Sequence, residues 1–344
     1  MVGLFVGLLV ALAVYSSFRF VDAQRRAQVS GIGALETGIG GLFAIQHDVK
    51  ASGIGVVLNG QTVCPTMNIY KGGTVANGTA IAPVVITAGG EDEDSDSITI
   101  AYSGSVLANN GIPLIAGMPA ATSVLKTANV RGIAVNDFLV VANPADNLPC
   151  TLMQATGTSA SGFGYDIAHA TTSTWNPSSP GAAFANAPAY PAGSLVYNIG
   201  QITFNWVTYR VTGGNLEAVN LITNEVDVVA NNVALLKAWY GTSNGTTSQI
   251  EQWVPATDAW ANPLDAAHVT TIRAIRIAAV ARSQHPEKPS VVGGECDVTT
   301  VAPTSWPGGP ALDLSGNSNW RCYRYRVLTL VIPLKNVIFG VSGS

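Results

Sequence analysis

The apolar and polar positions change period twice along the chain. Met1 to Phe18 (MVGLFVGLLVALAVYSSF) carries no charge. A helix of that length spans about 27 Å, close to the roughly 30 Å hydrocarbon core of a bilayer. No proline separates this run from Val21, Ala23, Ala27, Val29, Ile32, Leu35, Ile39, Leu42, Phe43, Ile45 and Val49, whose spacings are mainly three and four. That period predicts a helical stripe continuing to about Gly53. Gly31, Gly33, Gly38, Gly40 and Gly41 interrupt it. Each costs about 1 kcal/mol relative to alanine in a helix interior, so the middle of the helix is expected to melt or bend. The same small residues also permit close packing against the body or against neighbouring helices.

Beyond Gly55 the runs shorten and β-formers dominate: IAPVVITAGG, SITIAYSG, GIAVNDFLVVANP and LVYNIGQITFNWVTYRVTGG, separated by turn clusters such as Lys71-Gly72-Gly73 and Gly213-Gly214. The body is expected to be a set of antiparallel sheets. Val226 to Tyr240 fits either a helix or two strands. His268 to Ser283 reads as a strand, and so does Tyr323 to Val337, where Pro333 marks an edge or an end. Ser159 to Ala192, rich in Ser, Thr, Ala, Pro and Gly, reads as a long exposed loop that could divide two lobes. The expected domains are therefore a stalk helix over 1–55, with 1–18 in the membrane or filament core, and a β-rich body over 56–344.

Composition narrows the function. Only 11% of the residues are charged and the net charge is −4, which argues against a general electrostatic grip on nucleic acid. The four cysteines form no C-x-x-C pair, so disulfides in an exported protein are expected rather than a zinc ribbon. Of three allowed pairings, Cys296 with Cys322 is favoured because it closes a short Pro- and Gly-rich loop, and Cys64 with Cys150 follows. A cleaved secretory signal competes with a retained N-terminal segment, since Val21-Asp22-Ala23 resembles a cleavage site, but no basic stretch precedes the apolar run.

Candidate chemistry is sparse. Glu91, Asp92, Glu93, Asp94 and Asp96 form an acidic run that suits calcium in principle, although contiguous acids without an EF-hand spacing are more simply a solvated loop. Asp313 to Asn319 (DLSGNSN) has spaced oxygens, and these residue types are also ordinary turn formers. Gly241 to Gly245 matches G-x-S-x-G, yet Ser243 lies in a turn-like tract that lacks the strand–elbow–helix setting. His47, His169, His268 and His285 show no ligand spacing. Trp206, Trp239, Trp253, Trp260, Trp306 and Trp320 offer an aromatic recognition surface or plain core packing. No enzyme is indicated.

Four blocks resemble a PilW-type minor pilin of type IV pili: the opening MVGLFVGLLVALAVY, SDSITIAYSG (95–104), VVANNVALLKAWYG with WVPATDAW and HVTTIRAIRIAAVARS, and RYRVLTLVIPLKN (324–336). Pilins also carry a leader ending in glycine and an early glutamate; neither stands before the apolar run, and the chain is expected to begin just inside that motif. The resemblance implies an α+β, pilin-like fold: a long N-terminal α-helix, hydrophobic in its first half, before a large β-rich body. It implies a structural subunit that polymerises through Val2, Leu4, Phe5, Val6, Leu8, Leu9, Val10, Leu12 and Val14. The implied partners are copies of itself or other pilins and the pilus assembly platform, and no nucleic acid is indicated. The implied location is the inner membrane, with the body in the periplasm, before assembly and an extracellular filament after it. The alternatives are a pseudopilin of type II secretion or a membrane-anchored periplasmic enzyme or adhesin.

Overall fold

The computed structural model describes residues 2–338 apart from 56, 59–60, 63, 90–94, 104–110, 144–147, 202–203, 245–246 and 292. Four α-helices are present among them: α1 Val2–Ala51, α2 Pro180–Ala183, α3 Ala266–Val269 and α4 Lys335–Ile338. The strands are β1 Val57–Leu58, β2 Gln61–Thr62, β3 Thr66–Tyr70, β4 Thr74–Ala80, β5 Val84–Thr87, β6 Ser97–Tyr102, β7 Ile112–Ala116 and β8 Leu125–Thr127. They continue as β9 Phe138–Ala142, β10 Cys150–Gln154, β11 Gly157–Ser161, β12 Gly164–Ala168, β13 Leu195–Gly200 and β14 Asn205–Thr212. The last are β15 Asn215–Asn220, β16 Val226–Asn231, β17 Val233–Thr242, β18 Gln252–Pro255, β19 Ile272–Arg282 and β20 Tyr325–Pro333.

These strands form a nine-stranded sheet in the order β11-β12-β8-β7-β13-β9-β10-β3-β4, a five-stranded sheet β16-β15-β14-β6-β5, a four-stranded sheet β18-β17-β19-β20, and the β1–β2 pair. Pairing is antiparallel except that β3 and β10 run parallel. The five- and four-stranded sheets share one core. Val84, Ile86, Ile98, Ile100 and Leu216 from the first meet Leu236, Tyr240, Ile275, Ile277 and Ile332 from the second. The nine-stranded sheet is packed on both faces by separate clusters, one around Met67, Ile69 and Val140, the other around Leu114, Leu139 and Val141.

The pilin-like class, with a hydrophobic rod crossing the membrane, is corrected by this structure. Sheets dominate the architecture, and most of the buried apolar positions come from strands. Among the described residues no helix is long and apolar enough to cross a membrane.

Three local expectations are also settled. Val226 to Tyr240 forms the two strands β16 and β17, broken at Asn232, whose φ of 59° places it in the left-handed region that asparagine tolerates. β20 is an edge strand and also ends at Pro333. The loop read over 159–192 instead takes part in a hairpin, β11–β12, turning at Gly162 with φ 57°. Because β11 is an exposed edge, its Ser, Thr and Ala positions need no apolar alternation to pair.

Candidate assembly interface at the helix seat

Helix α1 meets the body through its C-terminal half. Ala34, Gly38, Gly41, Leu42, Ile45 and Val49 recur three or four apart and are buried, the spacing that puts them on one helical face. Two glycines set how close the helix comes. A Cβ on Gly38 would lie 2.1 Å from Leu328 Cδ1 of β20 and 3.4 Å from Ala281 Cβ of β19, while one on Gly41 would lie 2.8 Å from Leu216 Cδ2 of β15 and 3.3 Å from Ala230 Cβ of β16. One glycine thus touches the four-stranded sheet and the other the five-stranded sheet. The helix lies over the seam where the two meet, and Leu42, Ile45 and Val49 enter the core they share.

A polar clasp fixes this seat. Asp48, on the packed side of α1, accepts the Tyr102 hydroxyl of β6 at 2.8 Å on Oδ1 and the Tyr209 hydroxyl of β14 at 2.8 Å on Oδ2. Burial first, and the Asp48 charge second, push both phenol pKa values well above the ordinary 10.0, so both groups stay protonated donors. The helix end is tied as well. Gly53, at φ 86°, turns the chain so that its N–H donates to Ala101 O at 3.1 Å. Asn336 Nδ2 of α4 donates to Ser52 O at 2.8 Å and Lys50 O at 3.3 Å, satisfying carbonyls that a helix terminus leaves open.

A flank of α1 beside the packed face is apolar and uncovered. Leu35, Ile39 and Phe43, four apart, are exposed, Phe43 to 67%. Further along, Val6, Leu8, Val10, Leu12 and Val14 are all exposed. The side chains of Val2, Leu4, Phe5 and Leu9 lie outside the described residues. The helix is continuous through Gly31, Gly33, Gly38, Gly40 and Gly41. The close-packing reading therefore accounts for Gly38 and Gly41, whereas Gly33 and Gly40 face open space.

Most of this seat, though not Tyr102 and Ala101 of β6, lies in a segment similar to a known family: residues 209–336 match the family model of PilW, type IV Pilus-assembly protein W. The chain carries a PilW-type domain. No curated protein and no solved structure matches the chain. The PilW-type domain opens at Tyr209, a donor to Asp48, and closes at Asn336, which holds the last helix carbonyls. Of the four sequence blocks, the central and closing ones lie inside it and the two earlier ones lie before it. A PilW-type domain implies association with the type IV pilus machinery.

Glu91, Asp92, Glu93 and Asp94 lie outside the described residues. Asp96 is buried and engaged, accepting from Ala238 N at 2.8 Å, Lys237 Nζ at 3.1 Å and Gly89 N at 3.1 Å, so it latches β6 to the free edge of β17 rather than facing a cation. No group of three metal-ligating side chains occurs among the described residues. Asp313 accepts from Ser315 N at 2.7 Å, and Asn317 Oδ1 from Asn319 N at 3.0 Å, both turn geometry.

Ser243 follows β17, but its N–H bonds Thr271 O at 3.0 Å and no helix follows it before β18, so the elbow of a serine hydrolase is not formed among the described residues. His169 donates from Nε2 to Ser123 O at 2.7 Å, and burial lowers its pKa, which keeps the imidazole neutral. It borders a cavity of about 210 Å³ with Thr151, Met153, Asn176 and Phe184. Cys64 pairs with Cys150, and Cys296 with Cys322. Sequence reasoning missed Asp48, Tyr102 and Tyr209, whose only signal was a lone acid on an otherwise apolar helical stripe.

Proposed function

We propose that this chain is a structural subunit of a type IV pilus or a related extracellular filament, incorporated with the uncovered face of α1 packed against neighbouring subunits. One observation carries the reading: the PilW-type domain supplies most of the surface that seats α1, β6 adding Tyr102, and the seat leaves Leu35, Ile39 and Phe43 facing outward. Apolar surface left in water opposes the free state by about 25 cal/mol per Å², so burial against a neighbour supplies a driving force for assembly. The body would stand in the periplasm before assembly and outside the cell afterwards, an oxidising setting that suits two disulfides.

Mass spectrometry of purified filaments tests this, using wild type and Phe43→Asp. The variant places a charge on the uncovered face without touching the core. Wild-type chain should be present in filaments and the folded variant depleted at least tenfold. Filaments free of the chain, or equal incorporation of both, would overturn the reading. Lost protein secretion with pili intact would instead assign the chain to type II secretion.

A further inference from the structure

The four-stranded sheet has a second face, turned away from α1. Ala238, Tyr240, Ile275 and Ile277 point into the shared core, and strand alternation sends Trp239 and Arg276 to the other side. There Pro255, Trp239, Arg276 and Val331 stand in one cross-strand row over β18, β17, β19 and β20. Pro255 and Val331 are exposed, and Trp239 and Arg276 are half-buried.

The guanidinium of Arg276 is held by rings. Its carbon lies 4.2 Å from the Trp253 ring centre and 5.5 Å from that of Trp306. Trp306 is itself fixed edge-on to Trp239 with centroids 5.1 Å apart. Gly241 makes room for the Trp253 ring, since a Cβ there would lie 2.8 Å from Trp253 Cζ3. Stacking on an aromatic face uses the plane of a guanidinium and leaves its N–H donors at the edge. Arg210 and Arg324 of the same domain each bond a carboxylate, Glu217 and Glu287. Among the described residues, none accepts a hydrogen bond from the Arg276 guanidinium.

A planar cation immobilised by tryptophans, with solvent-facing edge donors that no described residue engages and an apolar surround, has the composition of an interface hot spot and the geometry of a bidentate carboxylate receptor. We propose that this outer face docks a protein segment that presents an Asp or Glu side chain, flanked by apolar residues, to Arg276. The partner's identity as a neighbouring pilus component rests on the function proposed above; the carboxylate site does not.

The test titrates the full chain with N-acetyl-L-glutamate methylamide, its neutral glutamine analogue and D-glucuronate, following the indole N–H NMR signals of Trp253 and Trp306. The glutamate probe should give saturable shifts, with affinity at least tenfold above the glutamine analogue. Arg276→Gln should weaken it at least tenfold. Arg276→Lys, which keeps the charge and loses the fork, should weaken it at least threefold.

No saturable shift, an equal response to the glutamine analogue, or unchanged binding in Arg276→Lys would overturn the site. D-glucuronate binding tenfold tighter than the glutamate probe would overturn the protein-segment assignment in favour of an acidic saccharide. Filaments lacking the chain while glutamate binding persists would remove the filament reading and leave this site standing.

Discussion

Asp48 joins three elements through one carboxylate: it belongs to α1, Tyr102 to β6 and Tyr209 to β14. Its side chain is only 13% exposed. Hydrogen bonds to a charged, partly desolvated acceptor contribute about 1.5 to 3 kcal/mol, and removing the acceptor leaves the buried Tyr209 hydroxyl without a partner. Asp48→Ala should therefore lower unfolding stability by about 2 to 4 kcal/mol, and Asp48→Asn by less, because the amide oxygen still accepts from one phenol. Urea denaturation of the three proteins side by side measures this ranking, and equal stability of Asp48→Ala and wild type would show that the clasp is ornamental. Tyr240 plays a similar part between the two sheets. Its hydroxyl receives the Ile86 N–H at 2.5 Å, and burial keeps it protonated by raising its pKa.

At the level of elements, the docked half of α1 distinguishes glycines that sequence spacing treats alike. Gly38 has Leu328 where its Cβ would be, and Gly40 has nothing within 4 Å. Gly40→Ala should stabilise by about 0.5 to 1 kcal/mol, the helix-propensity gain alone. Gly38→Ala gains the same propensity but must displace Leu328 from its place against the helix. Overpacking costs about 1 to 3 kcal/mol, so the net change should be a loss of about 1 kcal/mol. Thermal unfolding of the two variants should show melting temperatures moving in opposite directions.

The same contrast explains what could be read in advance. β19 and β20 announced themselves because Ile, Val, Leu and Ala run through both, and Pro333 marked both an end and an edge. β11 did not, since an edge of Gly, Thr, Ser and Ala buries little and so carries no hydrophobic period. The helical stripe merged two faces: Leu42, Ile45 and Val49 are packed, while Leu35, Ile39 and Phe43 are exposed. Periodicity finds apolar positions on a helix, but tertiary contact alone decides which of them are covered by the same chain. The Arg276 stack was equally hidden, because Trp239, Trp253 and Trp306 converge only through strand register and the long excursion between β19 and β20.

At the scale of the whole molecule, the two disulfides serve separate parts. Cys64–Cys150 joins the segment ahead of β3 to the start of β10, inside a core cluster of the nine-stranded sheet and far in sequence from the PilW-type domain. Cys296–Cys322 closes 26 residues of the excursion that carries Trp306 and Leu312 onto the outer face of the four-stranded sheet. Chain-entropy arguments give about 3 to 4 kcal/mol for the short loop and about 4 to 5 kcal/mol for the long one, whose separation is 86 residues.

The consequences differ in kind. Removing the long link relaxes the nine-stranded sheet, while removing the short one frees a segment whose hold on the body comes largely from Trp306 and Leu312. Limited proteolysis of Cys296→Ser/Cys322→Ser should therefore cut first within 297–321 and leave the α1 seat protected, because Asp48, Tyr102, Tyr209 and Asn336 lie outside that loop. Cys64→Ser/Cys150→Ser should instead open the nine-stranded sheet while Trp306 stays packed on Trp239. Cleavage of α1 at the same rate as the 297–321 loop in the first variant would show that the molecule opens as one cooperative unit rather than in these two parts.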